Sequence, residues 1–226
     1  MADAAISVGP LDAFAAWLER HAELPLRRVV ALGSMSIESK QASSDARERE
    51  VSARLRASEN VLKRFASDRG IALTIFRPTL IYGEGTDRSL APIARFVRRW
   101  QLMPLPLGAS GLRQPVHAED LAIAAAAVLD RPETYGKTYE MGGGERLAFS
   151  TILHRLRDTT PTWSIPVPIP LPALALATRF LRDDAPTRAA IARLKTDLVA
   201  DIAPAQRDFG YAPRDFIAAD VLPVYK

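Results

Sequence analysis

The 226-residue sequence contains no cysteine, which excludes disulfides, thiolate metal ligands and a cysteine nucleophile, and leaves the redox compartment open. It also lacks a long uninterrupted apolar run. The longest apolar tract, Trp163 to Leu181, carries Pro166, Pro168, Pro170 and Pro172. These forbid a helix in its first half and leave too few residues to cross a bilayer core of about 30 Å. The opening MADAAISVGPLDAF has neither the basic start nor the continuous apolar segment of a secretory signal, so a cytoplasmic location is expected. Charge of one sign is not concentrated either: 30 Lys+Arg against 26 Asp+Glu leave +4, and the basic residues run from Arg20 to Lys226 without a patch interleaved with aromatics. Nucleic-acid binding is therefore not expected. What is present, 48% hydrophobic and 25% charged residues, is the balance of a globular chain with a proper core.

Apolar runs alternate with helical patterns, the signature of βα units feeding a parallel sheet. Ala4 to Val8 reads as a strand closed by Gly9-Pro10, and Leu11 to His21 as a helix with Phe14, Trp17 and Leu18 on one face. Arg28 to Leu32 is apolar enough for a buried parallel strand, and the polar stretch Gly33 to Ser44 follows it. Val51, Leu55, Val61, Leu62 and Phe65 mark a helix from Asp45 to Asp68, stopped by Gly70. Ile71 to Phe76 is the third strand, ended by Arg77-Pro78. The spacing then predicts a helix over Ser89 to Trp100, a Pro/Gly-rich connection over Met103 to Gly111, a short strand around Pro115-Val116 and a helix from Glu119 to Leu129. Thr138 to Met141 reads as a strand, and Ser150 as the N-cap of a helix over Thr151 to Arg157. Residues 1–160 are expected to form the α/β core and residues 161–226 a Pro-rich linker with a small helical C-terminal region. There Ile191, Leu194, Leu198 and Ile202 are spaced for one buried stripe.

Ligand groups in such a fold gather at the carboxyl edge of the sheet. The segments concerned are Ser7 to Pro10, Gly33 to Ser36, and Arg77 to Thr79 with Tyr82-Gly83. Four stretches there and beyond resemble the NAD(P)-dependent epimerase/dehydratase family, part of the extended and atypical short-chain dehydrogenase/reductase superfamily. VVALGSMSIES is similar to the strand that delivers the catalytic Ser/Thr. ASENVLKRFASDRGIALTIFRPTLIYGEG is similar to the family's helix, strand, Arg-Pro and Tyr-Gly signature. LRQPVHAEDLAIA resembles its R-x-x-V-H-x-x-D element, and DIAPAQRDFGYAPRDF its terminal helix and turn.

The resemblance implies an α/β, partial Rossmann-like parallel sheet with flanking helices, lacking the first strands, and NAD or NADP as cofactor. It implies that the chain starts at the family's fourth strand, about two βαβ units of roughly 30 residues each short. Two elements of the family pattern are not in the sequence. No G-x-G-x-x-G cradles a pyrophosphate, since Gly142-Gly143-Gly144 follows a late strand, and no Tyr-x-x-x-Lys pair moves a proton. Counting back from Glu59, that pair falls on Val51 and Leu55.

Each candidate residue has a functional and a structural reading. By resemblance Ser34 is a residual catalytic hydroxyl and Ser36 a substrate contact, although serines at a strand end also satisfy loop amides. Ser7, Gly9, Pro78 and Thr79 line the cofactor side in the family, while Gly-Pro is equally an ordinary turn and Pro78 a strand terminator. Arg113 takes the place of an arginine that clamps a nucleotide-sugar diphosphate, against a solvated loop arginine. His117 reads as a packed residue, and Asp120 as a first-turn helix acid. Two functions stay open: a nucleotide-sugar epimerase/dehydratase-like protein with impaired catalysis, or a non-catalytic binding or assembly subunit. Either way an open sheet edge is expected, covered by self-association or a protein partner.

Overall fold

The computed structural model describes residues 3–159, 163–177 and 188–222. The chain divides into two interleaved units, one built from residues 1–79, 119–142 and 200–213 and the other from residues 80–118, 143–199 and 214–226. The first unit holds the expected parallel sheet. Its strands β1 (Ala4–Ser7), β2 (Arg28–Leu32), β3 (Ala72–Pro78) and β8 (Thr138–Met141) lie in that order, all parallel. Among the described residues β1 pairs only with β2; Ile6 within it is 43% exposed, and Val8 just beyond it 77%.

Helices α1 (Leu11–Arg20), α2 (Ser36–Ser39) and α3 (Ala46–Arg69) follow the first two strands. Asp45 caps α3 by accepting from the Arg47 amide, and Gly70 ends it in the left-handed region at φ 66°. Leu18, Val29, Ala31, Leu62, Leu73 and Ile75 form the core between α1, α3 and the sheet. β3 runs through Arg77 and Pro78 instead of stopping before them. The residue before a proline is held in extended conformation, and Pro78 needs no donor at the last position of the ladder.

A buried charge fixes the amino edge of this sheet. Arg28 opens β2 at 6% exposure, with its guanidinium bonded to carbonyls and hydroxyls. Its Nε donates to the Leu129 carbonyl, one terminal nitrogen to Val29 and Ala72 carbonyls, and the other to the Val128 carbonyl and the Thr74 and Thr134 hydroxyls. Val128 and Leu129 follow the last turn of α5 (Ala118–Ala127), so the guanidinium caps that helix end and also lies 4.8 Å from the Tyr135 ring centroid. Burial pulls the Arg28 pKa below its ordinary value. At the other side of the sheet, Asp208 of α9 (Ala203–Phe209) accepts from Lys137 at 2.7 Å and from the Tyr139 hydroxyl at 2.8 Å.

The second unit contains short strands and its own core of Tyr82, Leu90, Val97, Met103, Ile152, Leu153 and Phe216. β4 (Ile81–Tyr82) pairs parallel with β7 (Val116–His117), and β6 (Leu112–Arg113) antiparallel with β9 (Leu147–Ala148). α4 (Ala91–Trp100) begins two residues later than expected because the Asp87 carboxylate accepts from the amides of Ser89, Leu90 and Ala91. α6 (Phe149–Thr159) follows β9 directly, so Ser150 lies inside the helix and does not cap it. The expected stripe of Ile191, Leu194, Leu198 and Ile202 is not one helix: α8 (Arg188–Ala192) gives way to a 3₁₀ turn and extended chain.

The largest departure from the pattern reading is β5 (Leu102–Leu107), which pairs parallel with β10 (Ile165–Pro170) where a loop and a linker were expected. Ile165 donates to the Gln101 carbonyl and sits opposite Leu102. In a parallel ladder alternate residues face the partner strand, so residues 101, 103, 105 and 107 bond to 165, 167 and 169. Pro104, Pro106, Pro166, Pro168 and Pro170 all fall on the outward phase, where no donor is needed. α7 (Leu171–Ala177) continues β10; Leu181, where the apolar tract ends, lies outside the described residues. No helix among the described residues is long and apolar enough to cross a membrane.

Two outcomes follow from the sheet's anchors. Arg28→Met should destabilise the protein by about 3–5 kcal/mol, since it strands buried carbonyls, and lower Tm by roughly 10 °C, with Arg28→Lys intermediate; thermal unfolding followed by circular dichroism checks both. Lys137, Tyr139 and Arg207 hold the Asp208 carboxyl down at about 2. A depressed folded pKa gives stability that is present above the ordinary carboxylate range and lost as pH falls through about 2. The stability gap between the wild type and Asp208→Asn should therefore be full at neutral pH and close over that acid window.

Candidate functional site

At the carboxyl end of β1, Ser7 is buried, Val8 exposed, and Gly9 has open space where a side chain would stand. Packing does not require Gly9. α1 then starts after Pro10, which has no amide proton to offer, and its first-turn Asp12 accepts from the Ala13 amide and pairs with Arg54 at 3.4 Å. A helix start of this kind is a weaker anion site, because its partial positive charge already faces a carboxylate. α3 carries Asp45 and Glu48 at its start and α5 carries Glu119 and Asp120, so the same holds for each.

At the end of β2 the Gly33 amide donates to the Phe76 carbonyl and the Met35 amide to Pro78, binding the loop to β3. A Cβ on Gly33 would stand 3.2 Å from Glu59 Oε1, so this glycine admits the helix carboxylate to the strand end. Ser34 Oγ accepts from the Ser36 amide at 3.1 Å, and Ser36 opens α2. The first hydroxyl thus closes a local turn. Across from it on α3, Val51 and Leu55 are half-buried, while Ser52 is buried and donates its hydroxyl to the Ile37 carbonyl at 2.5 Å.

The strongest interaction at this edge is an ion pair. Arg77 donates from Nε and a terminal nitrogen to both oxygens of Glu59, at 2.9 and 2.6 Å, and from its other nitrogen to Glu38 at 2.9 Å. Glu59 is 2% exposed. The hydrogen bond to Glu59 raises the Arg77 pKa above its ordinary value, so the fork is permanently charged and fully engaged. Pattern reading marked Glu59 only as a family position; the buried polar positions Glu48, Ser52, Ser58 and Glu59 interrupting an amphipathic helix were the available signal. Beyond Pro78, the Thr79 amide donates to the Met141 carbonyl at 3.0 Å.

Six of the seven candidates belong to the first unit: Ser7, Gly9, Ser34, Pro78 and Thr79 sit at strand ends or loops, and Ser36 opens α2. Arg113 belongs to the second. It was expected on a loop, but it ends β6 at 6% exposure, because its guanidinium satisfies the carbonyls of Leu112, Thr196 and Arg193 at 2.7, 2.7 and 2.8 Å. Burial lowers its pKa. His117 is buried edge-on against Tyr82, 3.8 Å from Asp220, and leaves room for no side chain at Gly83. The glycine run also serves backbone contact. A Cβ on Gly143 would collide with the Pro115 carbonyl, and the Gly143 amide and carbonyl both bond Gln114.

No group of carboxylates and histidines suited to a metal ion occurs among the described residues. Tyr139 and Tyr211 are both pushed above the ordinary phenol range, by burial first of all, so neither is a phenolate at neutral pH. At this edge the Ser34 oxygen and the amides of Gly33, Met35 and Thr79 are bonded within the fold, and the starts of α1, α3 and α5 each carry a carboxylate. These residues do not fit a dinucleotide held in the family's manner.

Known proteins share this architecture and part of the sequence. The chain is 35% identical over 91 residues to NADH dehydrogenase [ubiquinone] 1 alpha subcomplex subunit 9, mitochondrial, of Arabidopsis thaliana, a match covering 40% of this chain and 22% of that protein. The protein of the same name from Dictyostelium discoideum is 29% identical over 126 residues, covering 50% and 35%. The matches thus span about a third or less of the relatives' own length. Among solved structures, UDP-glucuronic acid 4-epimerase from Bacillus cereus in complex with NAD superposes with a TM-score of 0.67 at 13% identity, over 92% of this chain and 61% of that one. RMD from Pseudomonas aeruginosa complexed with NADPH gives 0.68 at 14% identity, over 97% and 78%. These likenesses establish the fold. The sequence profile described as the NAD dependent epimerase/dehydratase family matches residues 9–142, well over half of the sequence, and the chain belongs to that family.

Proposed function

We propose that this chain is a non-catalytic member of its family, a binding or assembly subunit that retains the epimerase/dehydratase fold without nucleotide-sugar turnover. One observation carries the reading. The positions matching the family's proton-transferring tyrosine and lysine are Val51 and Leu55, and neither side chain holds or moves a proton. The Ser34 hydroxyl, which would work beside them, accepts from its own loop. Assembly with another protein is supported by the two relatives named as subunits of NADH dehydrogenase and by the edge of β1, which has no partner strand among the described residues and carries the exposed Ile6. Arg113, the candidate for a diphosphate, fits the same picture as a structural clamp, given three carbonyl acceptors within 2.8 Å.

Calorimetry with NAD and NADPH tests the cofactor side. The expected result is no dissociation constant below the micromolar range, because the amides and helix start that hold a pyrophosphate are not offered by α1, α3 or α5. Sub-micromolar binding of either dinucleotide, or epimerisation of UDP-glucuronic acid by the purified chain, overturns the proposal.

Arg113→Ala separates the two roles of that arginine. The substitution should destabilise the chain by about 2–4 kcal/mol in thermal unfolding, with Arg113→Lys recovering part of the loss. Unchanged Tm together with a tenfold or greater loss of UDP-glucuronic acid binding would assign the residue to a ligand instead.

A further inference from the structure

The ribbon formed by β5 and β10 is unlike an ordinary solvent-facing sheet. Its sequences, LMPLPL and IPVPIP, contain no polar side chain. Leu102, Leu107, Ile165, Pro166, Pro168 and Pro170 are nevertheless exposed. Trp100 and Trp163 flank the paired residues Leu102 and Ile165, at 61% and 75% exposure. Phe96 precedes Trp100 by one helical turn on α4 and is 43% exposed; Leu176 on α7 is 51% exposed. An isolated exposed leucine needs no explanation, but a ribbon without polar side chains that leaves six of its residues exposed does.

Within the segments that build and flank the ribbon the charge has one sign. Residues 88–107 and 163–177 include Arg88, Arg95, Arg98 and Arg99, all exposed, and no acidic residue. The Arg99 guanidinium lies 5.4 Å from the Trp100 ring centroid, so cation and indole share one surface. Indoles favour the boundary between water and hydrocarbon, and guanidinium groups pair with phosphate oxygens. The proline phase narrows the partner further: with proline at five of the six outward positions, each edge of the ribbon is a poor template for an added strand.

We propose that the β5–β10 ribbon, with Trp100, Trp163 and the arginines of α4, docks this chain on the surface of a bilayer that contains anionic lipid. The apolar ribbon and indoles enter the headgroup boundary, and Arg98 and Arg99 meet lipid phosphate. This is surface attachment without a spanning segment. It does not depend on the family reading and stands or falls separately from it.

Vesicle binding of the full chain tests the proposal. The sequence has three tryptophans, so Trp17→Phe leaves Trp100 and Trp163 as the fluorescent reporters. Phosphatidylcholine vesicles are compared with vesicles in which about one third of the lipid is phosphatidylglycerol. The expected result is a blue shift and co-flotation with the anionic vesicles, at least about tenfold weaker binding to phosphatidylcholine alone, and weakening by salt. Arg98→Ala with Arg99→Ala should lower binding to the anionic vesicles by about thirtyfold, with circular dichroism unchanged. Trp163→Ser should remove part of the blue shift. No binding to either vesicle, or equal binding to both with no effect of the double arginine variant, overturns the proposal. So does concentration-dependent self-association in sedimentation that Trp163→Ser abolishes, because the ribbon then belongs to a second copy of the chain.

Discussion

The buried guanidinium of Arg28 is the constraint on which the first unit rests. A strand that opens with a charge inside the fold is tolerable only if acceptors surround it, and here they come from β2, β3, the end of α5 and the turn carrying Thr134. Those elements are far apart in sequence, so the arginine fixes which of them meet. Arg77 repeats the device at the opposite edge of the sheet with a carboxylate partner, and Arg113 repeats it in the second unit with carbonyls. Three arginines that a surface reading would leave in water instead organise backbone and helix ends. Their engagement commits these three guanidinium groups to the fold and not to a ligand's phosphate.

Much of the first unit was legible because its central strands β2 and β3 are largely buried on both faces. β2 is apolar after Arg28 and was placed residue for residue, and α3 announced both ends through Asp45 and Gly70. What stayed hidden has a common cause. Arg28 was counted as an ordinary strand residue because periodicity says nothing about where a long side chain ends. β5 and β10 read as loop and linker because proline is a breaker in every local rule, and only the partner strand reveals that the prolines share one phase.

The candidate site was legible as a place more than as a chemistry. Strand ends and the Arg-Pro element pointed to the carboxyl edge, where Ser34, Arg77 and Thr79 do stand. The substitutions Val51 and Leu55 were visible by counting from Glu59. That Glu59 and Glu38 would both close on Arg77 was not, since residues 38, 59 and 77 are brought together only by folding. The location of Arg113 on a buried strand was hidden for the same reason: its acceptors lie some 80 residues downstream.

The shared phase of the prolines in β5 and β10 also bears on how this region can change over generations. Five prolines face outward because their numbers have the same parity, and the intervening amides all face the partner strand. A single-residue insertion or deletion within either strand would turn the downstream prolines of that strand inward, each removing a ladder bond, and would carry every side chain to the other face. A two-residue change would restore both at once. Length variation in this ribbon should therefore proceed in pairs, with substitutions tolerated far more readily than odd shifts in spacing.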